Sequence, residues 1–88
     1  MTTLTTKTAV DSNGTQHEIY SWFLLKNGWE YYITEPFDEQ GYGFGYVMGD
    51  ASEWWGSVNI LEMTGHIISE AYEEQLDELA PPIGWEWL

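Results

Sequence analysis

Cysteine and arginine are missing from this 88-residue chain, and lysine occurs only at Lys7 and Lys26. Without cysteine there are no disulfides and no thiolate metal sites, which suits a reducing compartment. With two cations in all, the chain lacks the clustered Lys and Arg that nucleic acid and anionic membranes require of a protein surface. No apolar run approaches a membrane span, and residues 1–7 hold no hydrophobic segment of signal-peptide length. The expectation is a soluble, cytoplasmic protein that contacts neither nucleic acid nor membrane directly.

Carboxylates and aromatic rings are what the chain has in excess. Fifteen Asp and Glu give a net charge of −13, and six Trp, six Tyr and three Phe supply the rings. A well-behaved small domain carries a net charge of about 2–8 in magnitude. Excess charge of one sign opposes compaction by self-repulsion. One domain of this size has a thin core, and rings that bury about 150–250 Å² each help to fill it. Solubility and salt adaptation are plain sources of such acidity; a basic partner is the functional one.

Residues 41–49 alternate glycine with larger side chains, placing Tyr42, Phe44, Tyr46 and Met48 on one face and Gly43, Gly45 and Val47 on the other. Residues 29–35 and 53–59 read as the flanking strands. Residues 3–10, rich in threonine, suit an edge strand, and residues 17–25 read as one continuous strand. Asn27-Gly28 between two such runs is a strong hairpin signal. Ile60 to Met63 can form a helical turn. Residues 66–79 read as an amphipathic helix with Ile67, Ile68, Ala71, Tyr72, Leu76 and Leu79 as its apolar stripe, stopped by Pro81-Pro82. The predicted fold class is α+β: a twisted, mainly antiparallel sheet of four to five strands with one C-terminal amphipathic helix, as a single domain over residues 1–88.

Catalytic and metal-binding patterns are sparse. Gly41-x-Gly43-x-Gly45 lacks the spacing and the basic neighbours of a phosphate loop. His17 and His66 have no ligand spacing, and the acids at Asp38-Glu39 and at Asp50 and Glu53 do not match a calcium loop. Glu30, Glu35 and Glu53 could be imagined as paired carboxylates of a glycosidase, but the chain is small for an enclosing pocket. The expectation is a non-enzyme with no cofactor and no metal.

Two constellations remain. On the predicted helix, residues one turn apart rise about 5.4 Å, so Glu70, Glu73, Glu74, Asp77 and Glu78 would form a row of carboxylates. Asp38, Glu39, Asp50 and Glu53 extend that surface. The second constellation is aromatic. One helix covers one side of a sheet, so some of Tyr20, Trp22, Tyr32, Trp55, Trp85 and Trp87 should be exposed or self-associated, with Tyr32 and Trp55 as docking anchors.

At Gly28-Trp29-Glu30-Tyr31-Tyr32, Phe44-Gly45-Tyr46-Val47-x-Gly49 and residues 53–63, the chain resembles an uncharacterised family of small plasmid- and phage-borne domains. The resemblance implies a genetic home and transfers no catalytic residue. The doubled Trp54-Trp55 and the acidic segment and Trp tail that follow depart from that pattern. In size and acidity the chain is also similar to phage anti-defence proteins of the anti-CRISPR and anti-restriction kinds. The expected function is an inhibitor that covers the basic nucleic-acid-binding surface of a host CRISPR effector or nuclease. The alternative is an accessory or assembly module that docks through an aromatic sheet face, as a homodimer in one form.

Overall fold

The computed structural model describes residues 6–50 and 52–88, and for residues 73 and 74 the backbone alone. The described residues form eight strands in order: β1 (Lys7–Val10), β2 (Gln16–Ile19), β3 (Ser21–Leu25), β4 (Glu30–Glu35), β5 (Tyr42–Met48), β6 (Glu53–Asn59), β7 (Ile67–Tyr72) and β8 (Glu86–Trp87). A four-residue helix, α1 (Ile60–Met63), precedes β7, and a 3-10 helix (Glu73–Glu78) follows it. The strands form a five-stranded sheet of order β6-β5-β4-β3-β7 and a three-stranded sheet of order β2-β1-β8. Every pairing is antiparallel.

The two sheets are joined where the sequence suggests one continuous strand. The run from His17 to Leu25 breaks at Tyr20, whose N–H donates to the Ile33 carbonyl at 2.8 Å. Before the break it pairs with β1, and after it with β4 and β7. The break also changes the side-chain parity. Ile19 and Trp22, on opposite faces of an unbroken strand, enter the same core.

That core lies between the sheets. Ala9 and Ile19 from the small sheet meet Trp22, Tyr32 and Ala71 from the large one, with Leu76 and Trp85 closing the sides. The registers Trp22↔Ala71, Trp22↔Tyr32, Tyr32↔Tyr46 and Tyr46↔Trp55 make one continuous row of side chains across all five strands. Cross-strand neighbours on one face are the contacts that stabilise a sheet. The opposite face carries a second core of Phe23, Leu25, Ile33, Val47, Val58 and Met63, with Phe37 and Ile60 packed against it. Both faces are therefore covered, although one predicted helix would have covered one.

The predicted C-terminal amphipathic helix does not exist, and the α+β class gives way to a mostly β architecture. Residues 67–72 form edge strand β7 on β3, and residues 73–78 form the 3-10 helix. Local and tertiary terms both favour this outcome. Ile67-Ile68-Ser69 is a weak helix former. Glu70, Glu73, Glu74, Asp77 and Glu78 would stand three and four apart on a helix, and like charges at that spacing destabilise it by about 0.2–0.5 kcal/mol per pair. As a strand the segment takes up the open edge of β3 and buries Ala71 against Trp22. The row of carboxylates rising one α-helical turn at a time is lost with the helix. The predicted first strand starts at Lys7, and its residues 3–5 lie outside the described residues.

Glycine is required at one point of the ladder. A Cβ on Gly45 would collide with the backbone carbonyl oxygen of Tyr32, and one on Gly43 would stand 2.9 Å from both the Glu35 carbonyl oxygen and the Phe37 ring. The β4–β5 register shifts here, between Ile33 and Glu35, so the two backbones approach closely where no side chain separates them.

Candidate interaction site

Edge strand β6 collects the unusual surface chemistry. It pairs with β5 alone among the described residues. Trp54 and Trp55 are successive residues of a strand, so they stand on opposite faces; they are 38% and 40% exposed. Trp54 and Trp29 pack in a T-shaped arrangement, with centroids 5.1 Å apart and planes at 81°. Gly49 leaves room for both rings, each 3.2 Å from where its Cβ would lie.

Trp55 belongs to a larger cluster. Its centroid is 5.1 Å from Tyr46, 6.0 Å from Phe44 in a stacked arrangement, 5.8 Å from Trp85 and 4.9 Å from His17. His17 stacks on Trp85 at 4.7 Å, and Tyr46 lies 4.8 Å from Trp85. Strands β2, β5 and β6 and the segment before β8 thus converge on one stack. The His17 Nε2 lies 2.9 Å from Asp11 Oδ2. Asp11 Oδ1 accepts the N–H groups of Asn13 and Thr15, which holds the β1–β2 turn. The hydrogen bond from His17, aided by those of Thr15 and Asn13, holds the Asp11 carboxyl below the usual carboxylate range. Burial, with the charges of Glu53 and Asp11 adding to it, pushes the Tyr46 phenol up. The cluster forms an orienting stack of rings with an imidazole–carboxylate pair at its rim, able to hold flat or cationic groups against Trp55.

The acids predicted for partner binding are dispersed. Asp38 and Glu39 occupy the β4–β5 turn, where Asp38 Oδ1 accepts the N–H groups of Gln40 and Tyr42 at 2.9 and 3.0 Å. Asp50 lies in the β5–β6 turn and Glu53 opens β6; both are exposed. Glu70 is on β7 and accepts the Tyr72 hydroxyl at 3.2 Å. Asp77 pairs with Lys7 at 2.6 Å, and Glu78 is exposed beside it on the 3-10 helix. The side chains of Glu73 and Glu74 lie outside the described residues. Asp50, Glu53 and the β4–β5 turn flank β6, whereas Glu70, Asp77 and Glu78 are on other elements.

Of the two predicted anchors, Trp55 is at the surface and Tyr32 is not. Tyr32 is 1% exposed, and its hydroxyl donates to the Ala80 carbonyl at 3.2 Å. Trp22 and Trp85 are also buried, because the small sheet and the C-terminal segment cover the face expected to be bare. The sequence reading missed Trp54, Phe44, His17 and Asp11 as partners of the site. The Trp54-Trp55 doublet carried a usable signal, since neighbouring strand residues serve both faces. The convergence of His17 and Trp85 had none, being set by how the two sheets meet. Among the described residues no three His, Asp or Glu side chains group as a metal site, and no helix is long and apolar enough to cross a membrane. Comparison of the chain with protein-family models, with curated proteins and with solved structures found no match.

Proposed function

We propose that this domain is a non-enzymatic inhibitor carried by a phage or mobile element, of the anti-CRISPR or anti-restriction type. It acts in the host cytoplasm by occupying the basic nucleic-acid-binding surface of a host CRISPR effector or nuclease, so that DNA or RNA is excluded. The carrying observation is uncompensated charge. Fifteen carboxylates face two lysines, and Lys7–Asp77 is the one lysine–carboxylate bridge among the described residues. Asp38, Glu39, Asp50 and Glu53 are exposed with no cationic partner among those residues. Such a surface speeds encounter with a basic partner, and aromatic contacts slow its release. The resemblance over residues 28–63 to plasmid- and phage-borne domains supports the genetic home.

The test is a pull-down from bacterial lysate at low and high salt, followed by competition with DNA and RNA. A nucleic-acid-handling partner that salt releases and nucleic acid displaces is the expected result. Reversal of Asp38, Glu39, Asp50 and Glu53 to Lys should abolish capture. Capture that survives reversal ends the proposal.

A second reading, an accessory module that docks through aromatic surface, is favoured by the exposure of Trp54 and Trp55 on an edge strand. It predicts a complex insensitive to salt and to charge reversal.

A further inference from the structure

We infer that β6 is a docking edge for an extended basic segment of the partner, which joins the large sheet as a sixth strand with adjacent Lys or Arg side chains on its two faces. The biological occupant rests on the reading above; the physical site does not.

The backbone of β6 is laid out for this. Gly49 N donates to the Ser52 carbonyl and Ile60 N to the Gly41 carbonyl, both at 2.9 Å. Between them the register is unbroken, from Met48↔Glu53 to Tyr42↔Asn59. Bonded and non-bonded pairs alternate in an antiparallel ladder. Trp54, Gly56 and Val58 therefore bond to β5, and the backbone N–H and C=O of Glu53, Trp55 and Ser57 point away from it. Natural edges are blunted by bulges, proline, lysine or short length. β6 has seven residues and none of those devices. The opposite edge, β7, carries a register shift against β3.

Each face of the sheet offers a groove beside this edge, and Ser57 lines both. One, about 340 Å³, has Trp54, Val58 and Met63 as apolar walls and Glu62 at its rim. The other, about 430 Å³, has Tyr42 and Phe44 with Glu35 and Asp38. Successive residues of an added strand point to opposite faces, so two neighbouring side chains would enter the two grooves. Long side chains with an apolar stem and a cationic head suit both, the stem along the rings and the head at the carboxylates. Charge decides the occupant. A second copy brings −13 against −13, whereas a basic strand is complementary.

The probe is a blocked peptide, Thr-Val-Thr-Lys-Arg-Val-Thr, titrated against tryptophan fluorescence at physiological ionic strength. Two relatives serve as controls, one with Glu in place of Lys and Arg, and one N-methylated at alternate residues. In the protein, Ser57→Pro removes an outward N–H without touching a β5 bond, a change edge strands tolerate. The basic peptide should bind and the acidic one should not. Ser57→Pro and N-methylation should each weaken binding about tenfold or more, and Glu62→Gln should weaken it less. N-methylation alters only the ligand, so the test stands even if the proline variant misfolds. Absence of binding, or equal binding by the N-methylated peptide, overturns the inference. So does concentration-dependent dimerisation in sedimentation that Ser57→Pro abolishes, because the edge then takes a second copy. Edge binding without a nucleic-acid-handling partner in the lysate sinks only the inhibitor reading. A partner captured equally well by Ser57→Pro sinks only the docking edge.

Discussion

The hydroxyl of Tyr32 donates to the carbonyl of Ala80 at 3.2 Å, tying the middle strand of the large sheet to the chain just before Pro81. Tyr32 sits in the row of rings that the small sheet covers, so its bulk and its hydroxyl have separable roles. Tyr32→Phe should cost about 1 kcal/mol, the net worth of one hydrogen bond. Tyr32→Ala should cost about 3–5 kcal/mol, as expected for deleting a buried ring. Urea unfolding of the two variants measures the difference.

Tyr32 also sets an alkaline limit. Burial, then the charge of Glu30, pushes its phenol far above the ordinary value. Tyr31, Tyr46 and Tyr72 are raised as well, each chiefly by burial. A folded pKa above the unfolded one contributes stability that is lost as pH rises past about 10, where an unfolded tyrosine ionises. The phenolate absorbance contributed by these four tyrosines should therefore appear late and together with the loss of near-UV circular dichroism. Tyr32→Phe should show the shallower fall.

At the acid end the sign reverses. Hydrogen bonds hold Asp11 and Glu18 below the usual carboxylate range, from His17 in the first case and from Thr6 and Thr8 in the second. Stability from a depressed carboxyl is present above the unfolded pKa and lost as pH falls through the folded one. Asp11→Asn should thus be less stable than the parent at neutral pH, and the gap should shrink as pH drops below about 4. Taking the difference between the two proteins removes the relief of general repulsion that protonation brings to both. Thermal melts across that range read it directly.

Gly45 and Gly56 face each other across β5 and β6, yet should respond in opposite ways. Gly45→Ala drives a methyl into the Tyr32 carbonyl and should cost about 1–3 kcal/mol, as other overpacked sites do. At Gly56 the nearest atoms to a Cβ are in the Trp54 ring, at 3.5 and 3.7 Å, an ordinary contact. Gly56→Ala should be neutral or stabilise by up to about 0.5–1 kcal/mol, the usual cost of glycine within a strand. Chemical denaturation separates the two outcomes.

Sodium chloride should raise the melting temperature. Repulsion among the carboxylates is screened over about 8 Å at physiological ionic strength. The exposed Lys7–Asp77 bridge that salt also weakens is worth about 0–1 kcal/mol. A melting temperature that falls with salt would mean that attraction outweighs repulsion on this surface.

Much of the large sheet could be read from local pattern. The period-two alternation at Tyr42–Met48 and at residues 53–59, and the Asn27-Gly28 turn, each report a preference a few residues wide. Charge was equally legible, because a sum needs no geometry. What local pattern could not reach was competition between distant segments. Ile67–Tyr72 has an apolar spacing that fits a helix, and it became a strand because β3 had an edge to fill and Trp22 a face to cover. The run from His17 to Leu25 alternates smoothly, and it breaks at Tyr20 because β1 and β4 pair with its two halves. Tyr32 and Trp55 look alike as aromatic residues of strands; one is buried and one exposed because Tyr32 lies on the middle strand of the large sheet and Trp55 on its edge strand. Composition and short-range periodicity thus determined the charge, the turns and most strands, while the tertiary structure alone decided which rings are core, which edge is open and which carboxylates stand beside it. Those outcomes depend on which segments meet, and no stretch of this chain encodes its neighbour.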